Sequence, residues 1–261
     1  MQLAPTRSIV RVLVPFAFAV GVASVVACKK DDKAIKETPP PVAQQNKTVM
    51  AGAKRFTIDD AGTLKIWMET GEKFSGEVSR LGGVFDVDLD DLSKSTGEVT
   101  GDLDTFKSTT PGIDDDTQTE HAKNWFEIGD DVPKDKRDDY KIARFTIEKI
   151  TKVDAQTLKD APPNGKDGAR VVTFEAHGQL RVHGRSSPKD VRVQLAFSGP
   201  LDAPTGIEFH TVDPVAASLS EHDVKPRDVA GKFIAGALEQ VGKKIDDRPL
   251  VSVQGTAKAK S

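Results

Sequence analysis

Acidic clusters, five histidines and one cysteine are the residues of this 261-residue chain that could do chemistry. The acidic run at 86–90, Asp-Val-Asp-Leu-Asp, has the spacing that opens a calcium-binding loop. Such a loop also needs Gly at its sixth position and Glu at its twelfth, where this chain has Asp91 and Gly97. Since the three acids alternate with apolar residues, we interpret them as the solvated face of a β-strand and expect no metal there.

The histidines and serines are not spaced for a metal site or a nucleophile. His177 and His183 share the polar face of a predicted strand, but six residues place them about 20 Å apart, too far to bind one ion, so we interpret both as exposed polar residues. Ser186 and Ser187 stand outside any G-x-S-x-G motif, and neither G-x-G-x-x-G nor G-x-x-x-x-G-K-[ST] occurs for a nucleotide. No motif pairs two acids for glycosidase chemistry. We therefore expect that the protein is not an enzyme.

The charge balance and the aromatic content argue against a nucleic-acid partner. The chain has 37 basic and 40 acidic residues, a formal net charge of −3, and only 6% aromatic residues. These numbers provide neither a basic field nor a base-stacking surface, so we expect no binding to nucleic acid. The single cysteine excludes an intramolecular disulfide.

The N-terminal residues have the pattern of an export signal. Two arginines precede an uncharged apolar stretch at 12–20, and small residues follow it. The sequence Val-Val-Ala-Cys at 25–28 then resembles a bacterial lipobox, in which the cysteine is acylated and becomes the first residue after cleavage. We expect residues 1–27 to be a lipoprotein signal peptide and Cys28 to carry palmitate-type chains that anchor the protein to a membrane. A plain signal peptide, or a buried thiol, is the alternative.

The residues after the cysteine predict a tether followed by one folded domain. Residues 28–50 are charged, proline-rich and poor in apolar side chains, so they cannot bury a core. We expect a lipid-anchored flexible linker there and a domain over residues 51–261. The predicted location is the bacterial cell envelope, facing the periplasm, and Lys29 directly after the cysteine favours the outer membrane.

From residue 54 onward the dominant hydrophobic period is two. Apolar residues alternate with polar ones, which is typical of antiparallel strands with one dry and one wet face. About nine such strands predict an all-β fold, a sandwich or a closed barrel. The apolar positions of the longest alternating segments are Leu64, Ile66 and Met68; Phe85, Val87 and Leu89; Val99, Gly101 and Leu103; Val172 through Val182; and Val191, Val193, Leu195 and Phe197.

Small residues on the dry face indicate bends and internal space. They are Gly76, Gly101, Ala176 and Gly178. Long bent strands with a dry concave face point to a barrel around an elongated cavity. The candidate lining residues are the large dry-face side chains, for each of which ordinary core packing is the alternative: Phe74, Phe85, Leu103, Phe145, Phe174, Leu180, Leu195 and Phe209.

Two segments have helical patterns, and two others lack any periodic pattern. The acids at 114–116 precede a predicted capped helix that ends at Trp125 and Phe126. Apolar residues every four positions predict an amphipathic helix over 228–245, weakened by three glycines. We expect residues 129–139 and 159–169 to be solvated loops.

The order of several short motifs resembles the YceI-like family. The longest match is Gly-x-Leu-x-Val-x-Gly-x-Ser-x-Pro at 178–188, which is similar to a hairpin of that family. The resemblance covers about residues 54–260. The other matching segments are Phe74-x-Gly76, Leu81-x-Gly83-x-Phe85, His121 before Trp125-Phe126, Tyr140 through Phe145, and Lys225 through Asp228.

The resemblance implies an extended, lipocalin-like antiparallel barrel with a tunnel-like apolar cavity. Family members bind polyisoprenoid chains, such as isoprenoid quinones or their precursors, in the periplasm. A carrier of an isoprenoid or lipid chain is therefore the leading hypothesis. A structural or interaction module of the envelope without a ligand is the second hypothesis, and an envelope hydrolase is the third.

Overall fold

Strands account for most of the residues that the structure, a computed structural model, describes: 52–68, 74–110, 115–225 and 247–260. Eight of the strands form a closed antiparallel barrel in the order β1-β3-β4-β6-β7-β8-β9-β11, and β11 pairs with β1 to close it. The predicted all-β barrel with short helices is confirmed. The predicted helix over 228–245 lies outside the described residues, as does Cys28.

The element bounds follow the alternating segments of the sequence. The strands are β1 (Ala53–Met68), β2 (Phe74–Val78), β3 (Leu81–Asp88), β4 (Thr96–Asp102), β5 (Phe106–Ser108), β6 (Ile142–Thr151), β7 (Arg170–Val182), β8 (Arg185–Ser198), β9 (Gly206–Thr211), β10 (Val215–Ala216) and β11 (Leu250–Ala259). The helices are α1 (Asp115–Trp125) and α2 (Lys134–Tyr140). Short 3-10 turns occupy Leu92–Lys94, Leu103–Thr105 and Lys166–Gly168.

Strand β1 is long enough to serve two parts of the sheet. Its first half pairs with β3 and its second half pairs with β2, while β11 runs along its other edge. The pairing with β11 shifts register between Ile58 and Gly62, which marks a bulge that bends the strand. This bend lets one strand follow the curved wall of the barrel.

The hairpin of β7 and β8 forms the most extensive part of the wall. Pairing runs without a break from Arg170 opposite Phe197 to Val182 opposite Arg185. The two-residue turn uses His183 and Gly184, both at positive φ (51° and 72°), as in the turns that match the twist of paired strands. Glycine adopts this conformation without a steric cost, whereas His183 is held in it by its surroundings.

One half of the barrel interior is filled with large side chains. Phe56 is 0% exposed and its ring meets that of Phe197 edge to face, at 6.1 Å between centroids. Val172, Leu195 and Ile207 are also buried beside them. We refer to this part as the filled half.

Two sequence-based expectations are wrong in detail. Residues 134–139 belong to helix α2 rather than to a loop. The helix has no buried residue and therefore no apolar period to detect, and local ion pairs of Asp138 with Lys134 and Lys141 support it. Leu103 was expected in a strand, but it lies in a 3-10 turn, because the Asp102 carboxylate accepts a hydrogen bond from the backbone N–H of Asp104 and turns the chain.

Substituting Gly178 tests how closely the barrel wall is packed. A Cβ at this position would lie 2.1 Å from the carbonyl oxygen of Thr146 on β6, so we predict that Gly178→Ala lowers the free energy of unfolding by about 1–3 kcal/mol. The matched control is Gly101→Ala, whose Cβ would meet the end of the Leu64 side chain at 3.2 Å. Urea denaturation should show a loss of less than about 1 kcal/mol for the control. Equal losses in the two variants would contradict the closer packing of the barrel wall at Gly178 than at Gly101.

Candidate functional site

An apolar cavity of about 100 Å³ lies inside the barrel, beside the filled half. Every strand of the barrel contributes to its wall, and Val215 of β10 also borders it. Aliphatic and aromatic side chains form nearly all of its surface. The lining residues are Leu64, Phe85, Val99, Thr100, Gly101, Ala143, Arg144, Phe145, Ile147, Leu180, Lys189, Val191, Val193, Phe209, His210, Thr211, Val215, Val251 and Val253.

The structure divides the eight predicted lining residues into two groups. Phe85, Phe145, Leu180 and Phe209 border the cavity. The others do not border it: Phe174, Leu195 and Leu103 are buried in the main core, and Phe74 stacks between the rings of Phe106 and Trp125.

The cavity exists because small and medium side chains face one another across this part of the barrel. Gly101, Ala143 and six valines line it, beside larger side chains such as Phe85 and Phe209. Of the small residues singled out in the sequence, only Gly101 borders the cavity. Gly76 and Gly178 instead make room for other groups, the Phe106 ring and the Thr146 carbonyl.

The interior row of β8 becomes polar at the end of the barrel away from the filled half. After Val193 and Val191 the row continues with Lys189 and Ser187. Lys189 borders the cavity, and its Nζ lies 2.8 Å from a carboxylate oxygen of Glu221. The buried Ser187 hydroxyl lies 3.2 Å from Nε2 of His222.

Residues 217–225 cross this end of the barrel, and we refer to them as the capping segment. Asp247 holds residues 218–220, the stem of the segment, because its carboxylate accepts hydrogen bonds from the side chains of Ser218 and Ser220. Leu219 and Val224 pack with Met68 in an apolar cluster that is separate from the main core. The segment is therefore fixed by polar contacts at its stem and by apolar contacts above the barrel.

His222 is the most deeply buried polar group of the capping segment, at 1% exposure. Its Nδ1 lies 3.0 Å from the carbonyl oxygen of Arg185, so Nδ1 carries the proton, and in the neutral ring Nε2 accepts from Ser187. Burial is the largest effect on this imidazole and lowers its pKa, and the nearby ammonium of Lys189 acts in the same direction.

His183 lies below the capping segment in the turn between β7 and β8. Its Nδ1 is 3.1 Å from the carbonyl oxygen of His222, and its Nε2 is 3.2 Å from a carboxylate oxygen of Glu127. The ring of Tyr140 covers one face, at 4.0 Å between centroids. Burial lowers the pKa of His183, although the hydrogen bond to His222 and the charge of Glu127 oppose the shift.

These contacts were not foreseen from the sequence. Ser187 and His222 are 35 residues apart, and no motif links a serine in a strand to a histidine in a distant turn. His183 was interpreted as exposed, because strand alternation placed it on the wet face with His177. It is instead 5% exposed, since the turn ends the alternation and the capping segment covers it.

The other candidate residues lie on the outer wall. Asp86 forms a two-oxygen ion pair with Arg55, at 2.7 and 2.6 Å, and Asp88 accepts hydrogen bonds from the N–H groups of Asp90 and Asp91. The run at 86–90 therefore does not converge on one point.

His177 stands near Glu175 and Asp190, with potential ligand atoms within 4.8 Å of one another. Lys152 contacts Glu175 at 2.7 Å, and the Thr151 hydroxyl lies 2.6 Å from His177 Nε2. This outer cluster is occupied by its own ion pair and hydrogen bonds.

The fold and the cavity together define an antiparallel eight-stranded barrel with an internal apolar site. The model of the YceI-like domain family matches residues 55–246, and the chain belongs to this family. No curated protein matches the sequence significantly. Among residues 52–68, 74–110, 115–225 and 247–260, no helix combines the length and apolarity needed to cross a membrane.

Two solved structures of low sequence identity have a similar fold. A polyisoprenoid binding domain from Saccharophagus degradans, described as implicated in plant cell wall breakdown, has a TM-score of 0.50 at 12% identity. That match covers 80% of this chain and 99% of the other. BcnA from Burkholderia cenocepacia has a TM-score of 0.50 at 15% identity, over 77% of this chain and 99% of the other.

Filling the cavity should be tolerated, whereas filling the opposite half should not. We predict that Val193→Phe changes the free energy of unfolding by less than about 1 kcal/mol, because the ring can enter existing space. Val172→Phe, in the filled half, should cost about 1–3 kcal/mol through overpacking. Urea denaturation of the two variants measures the difference. A larger loss for Val193→Phe than for Val172→Phe would show that the space is absent in solution.

Proposed function

We propose that this protein binds an isoprenoid or related lipid chain in the apolar cavity of its barrel. The observation that carries the proposal is a cavity that every barrel strand helps to line and whose walls are almost wholly apolar. An apolar chain gains about 25 cal/mol for each Å² removed from water, without needing a directed polar contact. The name of the polyisoprenoid binding domain from Saccharophagus degradans supports the same ligand class. Polyisoprenoids and isoprenoid quinones both fit this description.

Two parts of the wall favour a chain over a compact polar ligand. The polar residues of the lining, such as Thr100 and His210, contribute little of the cavity surface. Lys189 borders the cavity, but its ammonium is engaged by Glu221. The cavity thus recognises hydrocarbon, and a polar head group would remain near the capping segment.

We further propose that the protein is a lipoprotein of the bacterial cell envelope, held at a membrane through Cys28. The supporting observations are the order of the charged, apolar and small residues before Cys28 and the proline-rich residues 28–50 after it. Two or more acyl chains suffice for stable anchoring. In this arrangement the barrel faces the periplasm and reaches its ligand near a membrane surface.

A structural module without a ligand is the second candidate, and the size of the cavity favours it. The volume of about 100 Å³ is below the range of about 300–1,000 Å³ that is typical of small-molecule sites. On this alternative the barrel would only present its outer face to a protein partner. The two candidates differ in whether an apolar molecule accompanies the purified protein.

Extraction of the purified full-length protein tests ligand binding directly. We predict that organic extracts of protein made in a quinone-producing bacterium contain an isoprenoid chain at close to one per protein, as measured by mass spectrometry. Val193→Phe, which occupies the cavity, should reduce this amount by about tenfold or more, because a loss of apolar contact worth 1.4 kcal/mol is tenfold in affinity. His177→Gln, on the outer wall and away from the cavity lining, serves as the control and should retain the chain. Equal recovery from all three proteins would contradict the cavity as the site.

Substitution of the cysteine tests the anchor. We predict that Cys28→Ser abolishes incorporation of an alkyne-labelled palmitate during growth and moves the protein from the membrane to the soluble fraction. The acyl chains supply the membrane affinity at about 0.8 kcal/mol for each buried methylene. Ser24→Ala, which leaves the cysteine in place, should label as the wild type does. Labelling that persists in Cys28→Ser would exclude this residue as the acylated one.

A further inference from the structure

A hydroxyl, an imidazole and a carboxylate form a chain of hydrogen bonds on the outer wall of the barrel. The Thr151 hydroxyl lies 2.6 Å from Nε2 of His177, and Nδ1 of the same ring lies 2.5 Å from a carboxylate oxygen of Asp190. These three side chains are not part of the cavity lining. The cluster is therefore separate from the apolar site and from the function proposed for it.

Three neighbouring strands hold these side chains in place. Thr151 is the last residue of β6, His177 lies in β7, and Asp190 lies in β8. His177 is directly opposite Asp190 in the unbroken hairpin, and Thr151 is opposite Glu175, two residues before His177. Residues two apart on a strand share a face. The register of the sheet therefore brings the three side chains to the same side of the wall.

The carboxylate of Asp190 fixes the tautomer of the imidazole. An ionised carboxylate only accepts hydrogen bonds, so Nδ1 of His177 carries a proton, and in the neutral ring the lone pair is on Nε2. The Thr151 hydroxyl then donates to Nε2. In this arrangement a histidine can withdraw the proton of an attacking hydroxyl while an acid orients the ring.

Two further charged groups contribute to the electrostatics of the cluster. Glu175 places a carboxylate oxygen 3.5 Å from Nε2 of His177, where its charge stabilises the imidazolium that forms when the ring takes up a proton. Lys152, the residue after Thr151, contacts Glu175 at 2.7 Å. Its ammonium brings positive charge into the cluster, and negative charge develops on the oxygen of a carbonyl group under attack.

The cluster is accessible from solvent, unlike the contact between Ser187 and His222. The side chains of His177 and Asp190 are 35% and 70% exposed, and Thr151 is half-buried, so a small ester can approach the hydroxyl. His222 is buried, and its Nδ1 faces a carbonyl oxygen rather than an acid. Accessibility and the orienting carboxylate therefore distinguish Thr151 from Ser187.

We propose that Thr151, His177 and Asp190 form an acyl-transfer site for small activated carboxylic esters. The Thr151 oxygen forms a bond to the ester carbonyl carbon while Nε2 of His177 accepts the hydroxyl proton. The bond between that carbon and the leaving alcohol oxygen then breaks, and His177 returns the proton to the alcohol. A water molecule attacks the acyl-threonine by the same route, which releases the carboxylic acid and restores the hydroxyl.

Hydrolysis of p-nitrophenyl acetate by the full-length protein tests the site. Thr151→Val keeps the shape of the side chain and removes the hydroxyl, so it should lower the rate by about a hundredfold, which is typical of positioned acid–base catalysis. Thr151→Ser retains a hydroxyl and should remain active. The matched control Thr146→Val, on the same strand and outside the cluster, should hydrolyse the ester as the wild type does. Equal rates in Thr151→Val and the wild type would overturn the proposal.

Mapping of the acyl group by mass spectrometry identifies the nucleophile. After reaction with p-nitrophenyl acetate and an acid quench, the wild-type protein should carry an acetyl group on Thr151, and His177→Gln should lack it. An acetyl group found only on lysines or on Ser187 would overturn the proposal. Full labelling of Thr151 in His177→Gln would exclude the imidazole as the base and would also overturn it.

Asp190 acts through His177 and is a positioning residue. Asp190→Asn presents an amide group that can donate to Nδ1, which favours the tautomer with the proton on Nε2. We predict that kcat for p-nitrophenyl acetate falls about a hundredfold while KM stays the same. Unchanged kcat would show that the carboxylate does not orient the ring and would overturn its role. If this variant does not fold, Thr151→Val and Thr151→Ser still decide.

Discussion

Pairing of β11 with β1 is the interaction on which the rest of the structure depends. It joins the two ends of the chain that the structure describes and converts an open sheet into a barrel without exposed edges at that seam. Closure turns one face of every barrel strand inward, so the side chains that fill the interior come from alternate positions along each strand. Whether that interior is solid or hollow then depends on the side chains at those positions alone.

The interior is divided along the barrel axis into the filled half and the half that contains the cavity. Large side chains, including those of Phe56 and Phe197, pack one half. The other half gives up part of that packing, because its valines and small residues leave a dry space. Cavities of this kind destabilise a fold, whereas the β7–β8 hairpin in the wall is paired without a break.

The strands and their dry faces could be predicted from the sequence because alternation is a local signal. The period of two located β7 and β8 and placed Phe145 and Leu180 inside. The position of the cavity could not be predicted, because it depends on the sum of side-chain volumes from eight strands. The contact of Ser187 with His222 was missed for the same reason, since only the closed fold brings the two residues together.

Backbone pairing around the barrel is weaker at the end that carries the capping segment. The pairing of β4 with β6 stops at Asp102 opposite Ile142. Beyond this point, within the part of the chain that the structure describes, β5 pairs with β2. The 3-10 turn of Leu103–Thr105 separates β5 from β4. Side chains, including Trp125 and Phe74, supply the contacts there. Resistance to deformation is therefore lowest at this rim, which can fluctuate while the other strands of the barrel stay in place.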